Sequence, residues 1–216
     1  MKVVSVNIGR AHTQQNGHKT ETTGIYKIPT DESVQITSLG IKGDFIASKK
    51  HHGGPDQAIY VYGKADYDWW SSELGRDLAG GTFGENLTIS ELESAQFNIG
   101  DRLVIGKVIL EITAPRIPCS TLATRMGDPE FVKRYRQAER PGLYCRVMQA
   151  GLVAKGDDVK IERYEKDTIS VIQVFRDYYD KKKSAETIRN HLNAPIAIRV
   201  RTALEEELQK INNKRP

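Results

Sequence analysis

Between residues 2 and 163 the chain never holds one structural period for long. Short runs of β-forming residues, at 3–8, 24–28, 34–39, 58–62, 86–89, 102–105, 108–113, 143–148 and 158–162, are cut off by Gly, Pro, Asp and other turn-forming residues. A helical period shows only at 64–74, through Tyr67, Trp70 and Leu74, and at 129–140, through Phe131, Val132 and Tyr135. Strands that do not alternate with helices argue against a doubly wound parallel sheet. They predict a mainly β, α+β fold: a closed or half-closed antiparallel β-barrel with a few peripheral helices.

Beyond residue 168 the texture turns helical, with expected helices at 170–180, 184–192 and 195–211. Ser170 and Ser184 read as N-caps, and Asn193-Ala194-Pro195 as a break and restart. The chain therefore divides into a barrel domain over 1–165 and a three-helix domain over 168–216, joined by a polar stretch at 164–167. With 216 residues, 38% hydrophobic and 28% charged, it has the composition of an ordinary globular protein, so disorder is excluded as the leading class. No apolar run approaches the ~20 residues that cross a bilayer, and residues 1–9 lack the apolar core of an export signal. The expected home is the cytoplasm, with no membrane partner. The formal charge is +4, and residues 168–216 carry 10 Lys/Arg against 6 Asp/Glu, leaving 22 against 22 elsewhere. A nucleic-acid partner would have to bind that tail, where Lys181-Lys182-Lys183 reads better as a solvated turn than as a phosphate clamp.

Three segments are rich in chemistry. The first runs Gly40-Ile41-Lys42-Gly43-Asp44 and on through Lys49-Lys50-His51-His52-Gly53-Gly54-Pro55-Asp56-Gln57. Its glycines bare the backbone where lysines and histidines can face an anion. A metal triad of His51, His52 and Asp56 is disfavoured, because adjacent residues of an extended chain face opposite ways. The second, Gly80-Gly81-Thr82-Phe83-Gly84-Glu85-Asn86, delivers an acid and an amide at the mouth of a strand. In the third, Pro115-Arg116-Ile117-Pro118-Cys119, two prolines stiffen the chain so that Cys119 is presented rather than packed. A short helix through Met126 and the neighbouring Arg116 would favour the thiolate, the form that ligates soft metals. Cys145 contrasts with it, sharing a strand face with Leu143 and Val147, while Arg146 turns to the other face.

In this order and spacing the motifs resemble the MOSC domain, the family named after the C-terminal domain of molybdenum cofactor sulfurase, in its YiiM-like branch. The resemblance covers about residues 1–165, and the helical tail is similar to the small C-terminal domain of that branch. It implies a β-barrel-based fold, a pterin cofactor (molybdopterin) in a cleft, and Cys119 as molybdenum ligand. It also implies the reduction of N-hydroxylated bases or related compounds, R-NH-OH to R-NH2. The residues carried over as cleft lining are His52, Asp56, Glu85, Asn86 and Arg116. Lys42, Lys49 and Arg146 are added because phosphate and pyran oxygens need cations or donors. His52 is the expected proton donor, oriented by Asp56. The chain contains neither Gly-x-Gly-x-x-Gly nor Cys-x-x-Cys, so a separate electron-donating reductase is the expected partner. The alternative is a carrier of sulfur or molybdenum cofactor that uses a Cys119 persulfide without reducing anything.

Overall fold

The computed structural model describes residues 1–47 and 53–213. Along it run β1 (Val3–Gly9), β2 (His12–Asn16), β3 (Lys19–Thr23), β4 (Lys27–Thr30), β5 (Val34–Thr37) and β6 (Gly40–Ile41), then a 3₁₀ turn Pro55–Gln57. Next come β7 (Ile59–Gly63), α1 (Lys64–Leu74), β8 (Leu87–Ile89), β9 (Arg102–Ile105), β10 (Val108–Pro115), α2 (Ser120–Met126) and α3 (Phe131–Ala138). The chain ends with β11 (Leu143–Gln149), β12 (Gly151–Val153), β13 (Val159–Glu162), α4 (Val171–Tyr178), α5 (Ala185–Asn193) and α6 (Ile198–Asn212).

The fold is mixed α+β. Its main sheet has eight strands in the order β13-β9-β10-β11-β7-β8-β1-β4, beside a three-stranded sheet β12-β5-β6 and the β2–β3 hairpin. Of the closed and half-closed arrangements expected, the closed one is absent: no closed ring of strands forms among the described residues. The sheet curls until β1 approaches β13, and the two meet at the single bridge Lys2–Asp158, with Val3 N–H donating to Asp157 O and Val159 N–H to Met1 O, both at 2.9 Å. Nor is the sheet wholly antiparallel: β7 and β8 pair parallel, with α1 in the crossover between them. The β2–β3 hairpin was not expected, since its polar strands show no apolar alternation. Asn16-Gly17, with Gly17 at φ 61°, was its available signal.

β7 divides two cores. Its period of two sends Ile59 and Val61 into an aliphatic cluster, and Tyr60 and Tyr62 into an aromatic one with Trp70, Phe83, Phe131 and Tyr135. β11 does the same with Leu143 and Cys145 against Tyr144. In β10 a bulge between Ile112 and Ala114 reverses the parity, so Leu110 and Ile112 face the aliphatic side while Ala114 faces the aromatic one. The bulge is three residues before Arg116 and helps to aim the segment that carries the third motif.

The tail forms three helices, and the expected caps are in place: Ser170 accepts from Gln173 N–H and Ser184 from Thr187 N–H. Val171, Ile188, Ile196 and Leu204 are buried in the same aliphatic cluster as the sheet. Among the described residues no helix is long and apolar enough to cross a membrane.

Candidate functional site

A cavity of about 290 Å³ opens beside the aromatic core. Its wall includes Tyr60 from β7 and Tyr144 from β11, whose rings lie 5.0 Å apart, and the Arg116 guanidinium, 5.1 Å above the Tyr60 ring. Arg116 follows β10 directly, is buried, and donates from Nη1 to the Phe83 carbonyl. Burial opposes its charge most strongly, yet Tyr60, Tyr144, Cys119 and Tyr135 together hold it more firmly protonated than an ordinary arginine. Cys119 is partly exposed on the same wall, just before α2.

Another part of the lining comes from the β3–β4 turn and residues 44–47. These backbones approach so closely that a Cβ on Gly24 would lie 1.9 Å from the Phe45 carbonyl oxygen, which only glycine avoids. Lys27 and Asp44 line this side as a buried ion pair at 2.5 Å. Burial pulls the Lys27 ammonium below the usual lysine range, against the opposing pull of Asp44. Asp44 also accepts from Gly9 N–H at 2.7 Å and from Asn86 Nδ2 at 2.9 Å, and Asn86 Oδ1 accepts from Tyr60 N–H at 3.1 Å. The amide therefore ties these two parts of the lining together. At the rim, Thr121 donates to Glu21, which links the β2–β3 hairpin to α2.

Of the residues singled out in the sequence, Asn86, Arg116 and Cys119 come together on this cavity. Lys49 and His52 lie outside the described residues, as does His51 of the disfavoured triad. Three other placements differ from the expected lining. Glu85 is wholly buried behind the wall, where its Oε1 accepts from Gly81 N–H, the Tyr67 hydroxyl and the Thr88 hydroxyl at 2.6–2.8 Å. The turn before β8, with Gly84 at φ 74°, sets it behind its lining neighbours Gly84 and Asn86. Asp56 and Arg146 pair with each other at 2.9 Å against the helical tail, because the 3₁₀ turn points Asp56 away from the cavity while Gln57 joins the wall. Lys42 is exposed on the β6 turn, off the cavity.

Sequence reasoning passed over Lys27, Asp44, Gln57, Tyr60 and Tyr144 as lining. Asp44 and Gln57 stand inside motifs already noted, and Lys27 is a charge set within a β-type run. Each was a usable signal. Two buried polar atoms in the wall, Gln57 Oε1 and Arg116 Nε, have no hydrogen-bond partner among the described residues. A buried acceptor and a charged buried donor beside a thiol form a donor set that suits a polar, anionic ligand containing a soft metal.

A curled sheet that carries a loop-borne cysteine and a buried arginine to one cavity places the molecule in a known class. The family model described as MOSC domain matches residues 48–160, and the chain belongs to the MOSC domain family. Among its relatives, the "Uncharacterized protein YflK" of Bacillus subtilis is 33% identical over 191 residues, covering 88% of this chain and 86% of that protein. A Gibberella moniliformis protein named "Reductase" is 34% identical over 159 residues, which span 72% of this chain but 28% of that protein. The crystal structure of YiiM from Geobacillus stearothermophilus superposes with a TM-score of 0.78 at 25% identity, covering 96% of this chain and 98% of that one.

The two cysteines should differ sharply. Cys145 is fully buried, and desolvation pushes its thiol well above the ordinary range, so it is inert. Under native conditions Cys119 is expected to be alkylated by iodoacetamide well before Cys145, as read by peptide mapping after brief labelling. Cys145→Ser should cost about 1–3 kcal/mol by placing a hydroxyl among apolar neighbours, measurable by urea denaturation.

Proposed function

We propose that the protein is a molybdenum-cofactor-dependent reductase of N-hydroxylated bases or related N-hydroxylated compounds. The observation that carries this reading is the meeting on one cavity of Cys119, Arg116 and Gln57 Oε1, the last without a hydrogen-bond partner among the described residues. The MOSC family membership supports an association with molybdenum cofactor, and the name of the Gibberella relative, "Reductase", supports an oxidoreductase role. Cys119 would hold the metal, while Arg116 and Gln57 would meet polar atoms of the pterin or its phosphate. The bound cofactor would supply two-electron reduction chemistry at the cavity.

The chain's own part is to position the substrate and manage protons. Conversion of R-NH-OH to R-NH2 and water consumes two electrons and two protons, one of them going to the departing hydroxyl. Burial raises the hydroxyls of Tyr60 and Tyr144 above the usual tyrosine range, so neither releases a proton readily near neutral pH. His52 is the group proposed for that task, since imidazole titrates near neutrality. Tyr60 and Tyr144 offer faces on which a flat base can stack. The electrons are proposed to come from a separate reductase.

The test is molybdenum content and released pterin fluorescence of freshly purified protein, with reductase activity measured using an external electron donor. Stoichiometric molybdenum and activity are expected in the wild type, and loss of both in Cys119→Ser. Retention of both by the serine variant would sink the proposal. Molybdenum-free protein with the mass of one added sulfur on Cys119 would favour the carrier reading instead.

A further inference from the structure

The helix α6 begins without a cap of its own. Ala197 sits at its N-cap position and has no side chain to offer the free N–H groups of the first turn. The acceptor comes from 142 residues away: Asp56 Oδ2 accepts from Ile198 N–H at 2.6 Å. The other carboxylate oxygen, Oδ1, is held by Arg146 Nη2 at 2.9 Å, and the same guanidinium nitrogen donates to the carbonyls of Pro195 and Ile196 at 3.3 and 3.1 Å. The Asp56 backbone is fixed as well, because its carbonyl accepts from the Thr113 hydroxyl at 2.5 Å, and the Thr113 carbonyl accepts from Ala197 N–H at 3.4 Å. One short turn is thus fastened at once to β10, to β11 through Arg146, and to the start of α6.

That turn is also the approach to the cavity. Gln57 follows Asp56 directly and lines the wall, with Ala58 and Tyr60 close behind. We propose that Asp56 is a positioning residue that couples the helical tail to the cavity. By capping α6 from the Pro55–Gln57 turn, it fixes the stretch from which Gln57 and Tyr60 enter the wall. A carboxylate at a helix N-terminus satisfies an orphan donor and complements the helix dipole, so this one contact holds both the first turn of α6 and the Pro55–Gln57 turn, independently of how the middle of α6 packs. The inference rests on the cavity's geometry and holds whatever reaction takes place there.

Amide hydrogen exchange of the full chain, read at Ile198, Gln57 and Tyr60, tests it. Gln57 N–H donates within its turn to Gly54 O, and Tyr60 N–H donates to Asn86 Oδ1, so both amides report on the wall. Asp56→Ala is expected to speed exchange at Ile198 by roughly 3- to 30-fold, the range for loss of a helix cap, and to speed Gln57 and Tyr60 along with it. Asp56→Asn retains a neutral acceptor and should restore protection at all three together. The control is Leu204→Ala, which weakens α6 through its buried face and should leave Gln57 and Tyr60 at wild-type rates. The proposal is overturned if Asp56→Ala loosens Ile198 alone. It is equally overturned if Leu204→Ala moves the wall amides as far, or if Asp56→Asn protects Ile198 without protecting Gln57 and Tyr60. Should the alanine variant fail to fold, the asparagine and Leu204 variants still decide the matter.

Discussion

Glu85→Ala is expected to cost roughly 3–5 kcal/mol of folding stability, several times the cost of Glu85→Gln. One carboxylate oxygen, Oε1, accepts from Gly81 N–H at 2.6 Å, from the Tyr67 hydroxyl at 2.7 Å and from the Thr88 hydroxyl at 2.8 Å. Alanine strands these donors, together with Asn7 Nδ2 at 3.4 Å, in a dry interior, whereas glutamine keeps the acceptor. The two variants also differ from the wild type in their pH dependence. Burial, the largest influence, raises the Glu85 carboxyl above its ordinary value of 4.5, with the hydrogen bonds from Tyr67, Gly81 and Thr88 pulling the other way. The folded state therefore keeps a proton that the unfolded chain releases above that ordinary value. This contribution to stability is fully present below pH 4.5 and is lost as pH rises through the folded-state value. Glutamine has nothing to titrate, so its stability relative to wild type should improve as pH rises above 4.5. Urea denaturation at a series of pH values checks this, and a constant difference across the series would contradict it.

The Lys27–Asp44 pair should show the second large effect. Asp44→Ala leaves a buried ammonium without its partner, and such a break costs about 3–5 kcal/mol. It also frees Gly9 N–H and Asn86 Nδ2, so the cavity should lose definition together with stability. Adding Lys27→Met to Asp44→Ala removes the stranded charge and should recover a large part of the loss. Chemical denaturation of the wild type, both single variants and the double variant closes the cycle. Additive losses would mean that the pair is not coupled.

The parts of the molecule that were legible in advance are those fixed by local pattern. The Ser170 and Ser184 caps, the α1 and α3 periods and the buried face of Cys145 follow from nearest neighbours along the chain. Asn86, Arg116 and Cys119 were readable as a group through the resemblance of their glycine- and proline-rich motifs to the MOSC family. What escaped depends on partners far apart in sequence. Nothing near Asp56 announces that its carboxylate will cap a helix 142 residues away, and nothing near Glu85 shows that Tyr67 and Asn7 will reach it. The parallel β7–β8 pair was missed for a related reason, since strand direction is set by the crossover through α1 and not by either strand's composition. The β2–β3 hairpin lacked the apolar alternation that marks a strand, and it is held by polar pairs such as Gln14 with Glu21.

The division of the interior into an aliphatic and an aromatic half gives the protein an optical asymmetry. Its two tryptophans are Trp69 and Trp70, neighbours on α1, with Trp70 wholly buried 5.0 Å from the Phe131 ring. The three tail helices contain none. Ultraviolet emission therefore reports on the side of the sheet that backs the cavity, while far-ultraviolet ellipticity weighs the tail heavily, and the two signals follow different parts of one molecule.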